Sequence, residues 1–283
     1  MFVEKYIKEP FKYAMSDWKK IFVGGVFGLM YMLPSQVFDA MLRANNHVQN
    51  MESSASFDYS ILLGLLGVFA LIIFLSIIFG SLQYGYYMKL AKNTVESYDT
   101  QLPEWEGWYD LFKKGIMFYI GSLLLALIVF LPFIIIASII GYGIYLIGIP
   151  LLLIIYFFAV LGAYLLIALL YMFYFYLASV NFANVGFKGF FEFKKIISLL
   201  SLKYVLLVIV LIIIMMALSF IASLPGLFMG VGAALSDNNV ILLIISAVIN
   251  SVLLSFIGFF TSVALYRSIS TYYKEKMQEK GYL

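Results

Sequence analysis

Asn250 is the most unusual polar residue of this chain. It stands near the middle of the uncharged run Asn238–Tyr266, with Ser246 and Ser255 close by. Such an amide either bonds a neighbouring helix, worth about 1 kcal/mol, or lines a polar path for a substrate. The other groups able to do chemistry stand elsewhere. Asp39 falls close to the outer end of an apolar run, and Asp58 and Asp237 fall in or beside turns. His47 is the single histidine, and metal binding or Ser–His catalysis needs partners at defined spacing. None accompanies it. Glu104, Glu106 and Asp110 could form an acid–base group. Their alternation with Trp105, Trp108 and Tyr109 fits the polar face of an amphipathic helix better. There is no cysteine, so thiol catalysis, disulfides and iron–sulfur clusters are excluded. No catalytic, metal-binding or cofactor-binding set emerges, and no enzyme is expected.

The elements that hold these residues follow from charge. The chain is 64% hydrophobic and only 12% charged, and its mean hydropathy is +1.02. A soluble domain carries about twice that share of charge, so apolar surface must here face lipid. The uncharged stretches are Tyr59–Met88, Gly115–Phe187, Tyr204–Ser236 and Asn238–Tyr266. A single helix over Gly115–Phe187 would reach about 110 Å at roughly 1.5 Å per residue, so the stretch folds back. Gly141-Tyr142-Gly143 is the expected turn. Six spans result, at about 21–42, 59–86, 115–139, 145–178, 204–224 and 240–265. The whole chain, 1–283, forms one all-α integral membrane domain. No cleavable leader is expected, because Val37-Phe38-Asp39-Ala40 is not a small-residue cleavage site.

Six spans place all basic residues except Arg43 on one side. The clusters are Lys5 to Lys20, Lys89 to Lys114, Lys188 to Lys203, and Arg267 to Lys280. Basic residues beside spans stay cytoplasmic, so both termini are expected in the cytoplasm of a multi-pass cell-membrane protein. The lysines would meet anionic headgroups there, and the net charge of +3 is no nucleic-acid signal.

The spans read as three hairpins. Trp18-Lys19-Lys20, Phe112-Lys113-Lys114 and Phe193-Lys194-Lys195 each precede a span, and Leu33-Pro34, Leu131-Pro132 and Leu224-Pro225 each end one. Amphipathic helices at about 10–20 and 104–114 are expected in the cytoplasmic interface, with a weaker third copy at Phe187–Lys195. Trp18, Trp105 and Trp108 would anchor in the acyl region, and Lys19, Lys20, Lys113, Lys114, Lys194 and Lys195 at the headgroups. The aromatic run Tyr171 to Tyr176 reads as an interfacial belt. Gly24-xxx-Gly28 and Gly226-xxx-Gly230 fit close helix packing.

Several of these segments together resemble a known family. Tyr84-Gly85-Tyr86-Tyr87-Met88-Lys89-Leu90, Leu102-Pro103-Glu104-Trp105-Glu106-Gly107-Trp108 and Leu111-Phe112-Lys113-Lys114-Gly115 resemble domain of unknown function 4013. Asp17-Trp18-Lys19-Lys20-Ile21 with Gly24-Gly25 does so too. The family holds small polytopic membrane proteins, frequent in archaea and found in some bacteria. The resemblance implies that class and supplies no activity.

Three functions stay in view, the last of them a membrane-bound enzyme, for which no nucleophile–base or metal constellation speaks. One is a non-enzymatic component that organises the bilayer or joins a complex, with a membrane protein partner or a second copy of itself. The second is a facilitator or lipid-handling transporter whose neutral path Asn250 lines. Dry packing around Asn250 would favour the first, and a water-accessible cavity the second.

Overall fold

The computed structural model describes residues 2–49, 59–97, 101–236 and 239–282. Among them it is all-helical. A π-helical turn, Glu4–Lys8, leads into α1 (Glu9–Ala14). Then come α2 (Trp18–Gln49), α3 (Tyr59–Glu96), α4 (Trp108–Ile147) and α5 (Pro150–Val185). A 3₁₀ turn, Phe187–Phe191, precedes α6 (Phe193–Leu199), α7 (Leu202–Leu235) and α8 (Val240–Glu279). The helices α2, α3, α4, α5, α7 and α8 are each long and apolar enough to cross a membrane. This is a multi-pass helical membrane protein. The side chains of Arg43, His47 and Asp58, the outer part of the first loop (50–58) and Asp237 lie outside the described residues.

The spans run longer than the sequence predicts. An apolar environment offers a broken backbone no water, so helices persist through residues that end them elsewhere. Pro34, Pro132 and Pro225 therefore lie inside α2, α4 and α7 instead of ending them. The backbone of α2 continues as helix to Gln49, past the expected end near 42. Gly141 and Gly143 stay helical, and the fold-back comes later. It lies at Gly148, whose φ of 73° suits a residue without Cβ, just before Pro150 opens α5.

The expected interfacial helices are corrected. Residues 104–107 are not helical, and Trp108–Lys114 forms the first turns of α4 itself. Gly107, at φ 70°, makes the entry. At the N-terminus the helix ends at Ala14, and Asp17 starts a new one. Its Oδ1 accepts from the backbone N–H of Lys19 (3.0 Å) and Lys20 (3.3 Å), a side-chain cap that fixes the start of α2 at Trp18. The third lysine pair lies in the separate helix α6, so the three copies have three different settings.

Packing matches the three hairpins only in part: α7 packs on α8, but α2 packs chiefly on α8 and α3 on α4. The most extensive contacts are α2 with α8, α7 with α8, and α3 with α4. The centre is α8, which also touches α1, α3, α5 and α6. Close approach explains the pairings. A Cβ on Gly24 would strike the Phe259 ring, and one on Gly25 the Phe256 ring. The crossing of α3 and α4 is reciprocal: a Cβ on Gly85 would meet the Leu111 backbone, and one on Gly115 the Ser81 backbone. Small residues let helices gain dispersion contacts in lipid, where no hydrophobic drive joins them.

The tightest packing lies at the basic end. Tyr6, Tyr86, Phe118, Phe190, Tyr204, Phe259, Tyr272 and Tyr273 are all buried there. Buried phenols need partners, and most find linker or helix carbonyls. Tyr86 donates to Pro103 O (2.9 Å), Tyr204 to Phe173 O (2.8 Å) and Tyr272 to Leu199 O (2.7 Å). Tyr174 is buried and donates to Phe190 O (2.7 Å), so this part of the expected aromatic belt belongs to the core. Asn181 donates to Glu192 and accepts from Tyr273. That amide, with Lys195 at 3.2 Å, holds the Glu192 carboxyl below its ordinary range despite partial burial.

Candidate functional site

The expected anchors divide into two groups. Trp18 (63% exposed) and Trp108 (46%) stay on the surface, as do Lys19, Lys113 and Lys194. Lys114 is half-buried, and Lys195 pairs with Glu192. Trp105 and Lys20 instead turn into the protein. The Trp105 ring stacks on Tyr86 at 4.0 Å, and its indole N–H donates to Lys20 O at 3.0 Å. The Lys20 ammonium donates to Leu102 O (2.7 Å) and pairs with Glu104 (2.7 Å) and Asp17 (3.4 Å). The linker before α4 is thus pinned to α2, which a helix lying in lipid would not be. A protein retaining only Trp105, with Trp18 and Trp108 changed to Phe, should show little fluorescence quenching by brominated lipids. Strong quenching would put the ring back among acyl chains.

The structure brings Asn250 to a cavity. A space of about 510 Å³ lies between α2, α7 and α8, away from the basic end. Its polar lining is Gln36, Asp39, Ser223, Ser246 and Asn250. The small residues Gly226 and Gly230 of α7 make the room. A Cβ on Gly226 would stand 2.8 Å from that of Asn250. A second space, about 230 Å³, follows on the same three helices and α3, lined by Gly28, Ser219, Ser255, Ser262 and Gln83 among others. The lining residues advance in helical steps: Ser246, Asn250, Leu254, Gly258 and Ser262 on α8, and Gly230, Gly226, Ser223 and Ser219 on α7. The two spaces therefore line up along one seam. Phe259 closes it toward the basic end. It is 1% exposed and packs on Tyr87 (5.4 Å), Tyr86 (5.7 Å) and Trp105 (5.9 Å).

Hydrogen bonding gives the upper space a chemical sense. Ser223 donates its hydroxyl proton to Phe220 O (2.8 Å), and Ser246 donates to Gly226 O (2.5 Å). Both then present only lone pairs to the cavity. Asn250 Oδ1 is buried and has no partner among the described residues, and Asp39 adds a carboxylate. The serine lone pairs and the Asp39 carboxylate make the wall rich in acceptors, beside the amide donors of Gln36 and Asn250, and it suits a polar ligand that brings donors. Among the described residues no three His, Asp or Glu side chains group as metal ligands.

Sequence reasoning missed one residue. By charge alone Arg267 is one more member of the fourth basic cluster, yet its side chain is 1% exposed. It pairs with Glu9 (3.2 Å), donates to Thr94 (3.2 Å) and lies 4.2 Å over the Tyr13 ring. The available signal was its type. Arg43 and Arg267 are the two arginines among 18 basic residues, and arginine suits buried pairs better than lysine.

Relatives extend over nearly the whole chain. Uncharacterized protein MJ1189 of Methanocaldococcus jannaschii is 33% identical over 98% of this chain and 98% of its own. Uncharacterized protein MJ0233 of the same organism is 28% identical over 97% of this chain and 98% of its own. No solved structure matches. The family model described as protein of unknown function (DUF4013) matches residues 66–231, which include Gly85, Trp105, the α3–α4 crossing and much of α7. The chain belongs to the DUF4013 family.

Proposed function

We propose that this protein is a non-enzymatic facilitator for a small, donor-rich polar solute. The observation that carries the reading is the 510 Å³ cavity whose acceptor-rich wall reaches Asn250. Its size falls in the range of ligand sites, about 300–1,000 Å³. Solute would enter from the end with few lysines, bond to Asn250, Ser223 and Ser246, and descend to Ser219 and Ser255. The aromatic floor of Phe259, Tyr87 and Trp105 would have to shift for passage. Asp39 charges only the outer part of the path, and the middles of the six spans carry no coupling charge. The lysine partition supports a cell-membrane orientation with both termini and the aromatic floor on the cytoplasmic side.

A specific feature favours a second reading, that of a membrane-organising component. The outer halves of α4 and α5 stand clear of the bundle, with Ile134, Ile139, Leu146, Leu151, Phe158 and Leu165 all exposed. That surface is available to lipid, to a protein partner or to a second copy.

Flux separates the two. Proteoliposomes would be tested by light scattering with glycerol, urea and ethylammonium. At least one should equilibrate faster than in empty liposomes. Asn250→Leu should slow it roughly fivefold, the factor carried by a hydrogen bond of about 1 kcal/mol, while Ser76→Ala leaves it unchanged. Flux indifferent to Asn250→Leu would leave the organising reading in possession.

A further inference from the structure

We propose that α3, α4 and α5 form a binding site for one anionic phospholipid, independent of the polar seam. Two cavities on these three helices carry the inference. The first, about 340 Å³, lies at the basic end and is lined by Lys92, Lys113, Lys114, Asp110 and Asn184. Lys92 pairs with Glu96 at 3.4 Å. Lys113 and Lys114 have no ion pair among the described residues, although other lysines of this end do: Lys5, Lys20, Lys89, Lys195, Lys203 and Lys276. With Asp110 and Glu96 counted, the pocket retains positive charge. It fits a phosphate.

The second cavity, about 760 Å³, is an open apolar groove lined by Ile73, Ile77, Ile116, Ile120, Leu123 and Phe175 among others. It lies farther from the basic end on the same helices. On α4 the lining steps from Lys113 through Ile116 and Ile120 to Leu123, and on α3 from Lys92 through Met88 to Ile77 and Ile73. Lys113 and Ile120 are seven residues apart, two turns along one face and about 10 Å along the helix axis. A cationic pocket followed at that spacing by an apolar groove matches the head and chain of a phospholipid. A free phosphate would use only the first cavity, and a zwitterionic lipid would gain little from Lys113 and Lys114.

The full-length protein, delipidated in detergent, would be titrated with dioleoylphosphatidylglycerol, dioleoylphosphatidylcholine and inorganic phosphate, reading bound lipid by native mass spectrometry and the thermal midpoint in parallel. One phosphatidylglycerol should bind and raise the midpoint. Lys113→Gln with Lys114→Gln should weaken it roughly thirtyfold, taking about 1 kcal/mol per lysine at a lipid surface. Ile120→Trp, which fills the groove and leaves the lysines, should weaken it too. If the lysine double variant does not fold, Lys92→Gln and Ile120→Trp carry the test. Equal binding of phosphatidylcholine, unchanged binding in folded variants, or equal stabilisation by inorganic phosphate would overturn the proposal.

Discussion

Glu9→Gln should destabilise the protein by about 3 kcal/mol, although Glu9 lies on a short surface helix. Its partner explains the size. The Arg267 side chain is 1% exposed, and Glu9 itself is 35% exposed. Breaking a fully buried pair by removing one member costs about 3–5 kcal/mol, and Glu9→Gln takes the carboxylate from the buried Arg267. The partial exposure of Glu9 puts the expected value at the low end. Arg267→Met should also destabilise, through loss of the Thr94 bond and the stacking over Tyr13. The double change should cost less than the two single changes summed, because both remove the same ion pair. Thermal midpoints in detergent give the cycle. The same contacts dock α1 on α8, so limited proteolysis should cut residues 2–14 faster in Glu9→Gln. A variant with unchanged midpoint and unchanged cleavage would remove Arg267 from the core account.

The number and type of spans were readable because they depend on composition along the chain. Six apolar runs long enough to cross a membrane can be counted along the chain, and no contact need be known. What failed depends on neighbours. Gly141, Gly143, Pro34 and Pro225 were read by rules for water, where a broken turn is solvated. In lipid the helix continues, and the turn moves to Gly148, where φ is positive. Trp105 was projected onto a helix that the chain does not form. Freed from it, the ring reaches Tyr86 and helps build the floor beneath Phe259. Arg267 was counted as one more basic residue, because a charge count is blind to burial. The glycine pairs were more transparent: Gly24 and Gly226 do meet α8 closely. Asn250 was visible as a polar residue in a span, but its role turned on which face of α8 meets α7. The ordinary reading, a bond between helices, does not account for its Oδ1. That atom is buried and has no partner among the described residues, while the residue itself lines the cavity.

The second large effect is one of access. A chain without cysteine allows single thiols to be placed at will. Ser223, Ser246 and Asn250 line the upper cavity, whereas Leu123 is 60% exposed on the face of α4 that meets lipid. An impermeant, charged thiosulfonate reacts only where water brings it. In sealed vesicles of known orientation, Ser246→Cys and Asn250→Cys should be labelled from the face opposite the lysine clusters and not from the lysine face. Leu123→Cys should stay unlabelled from both. Labelled Asn250→Cys should also lose flux, since the adduct fills the space beside Gly226. If Asn250→Cys proves as unreactive as Leu123→Cys in a folded protein, the seam between α2, α7 and α8 is dry and the facilitator reading is wrong.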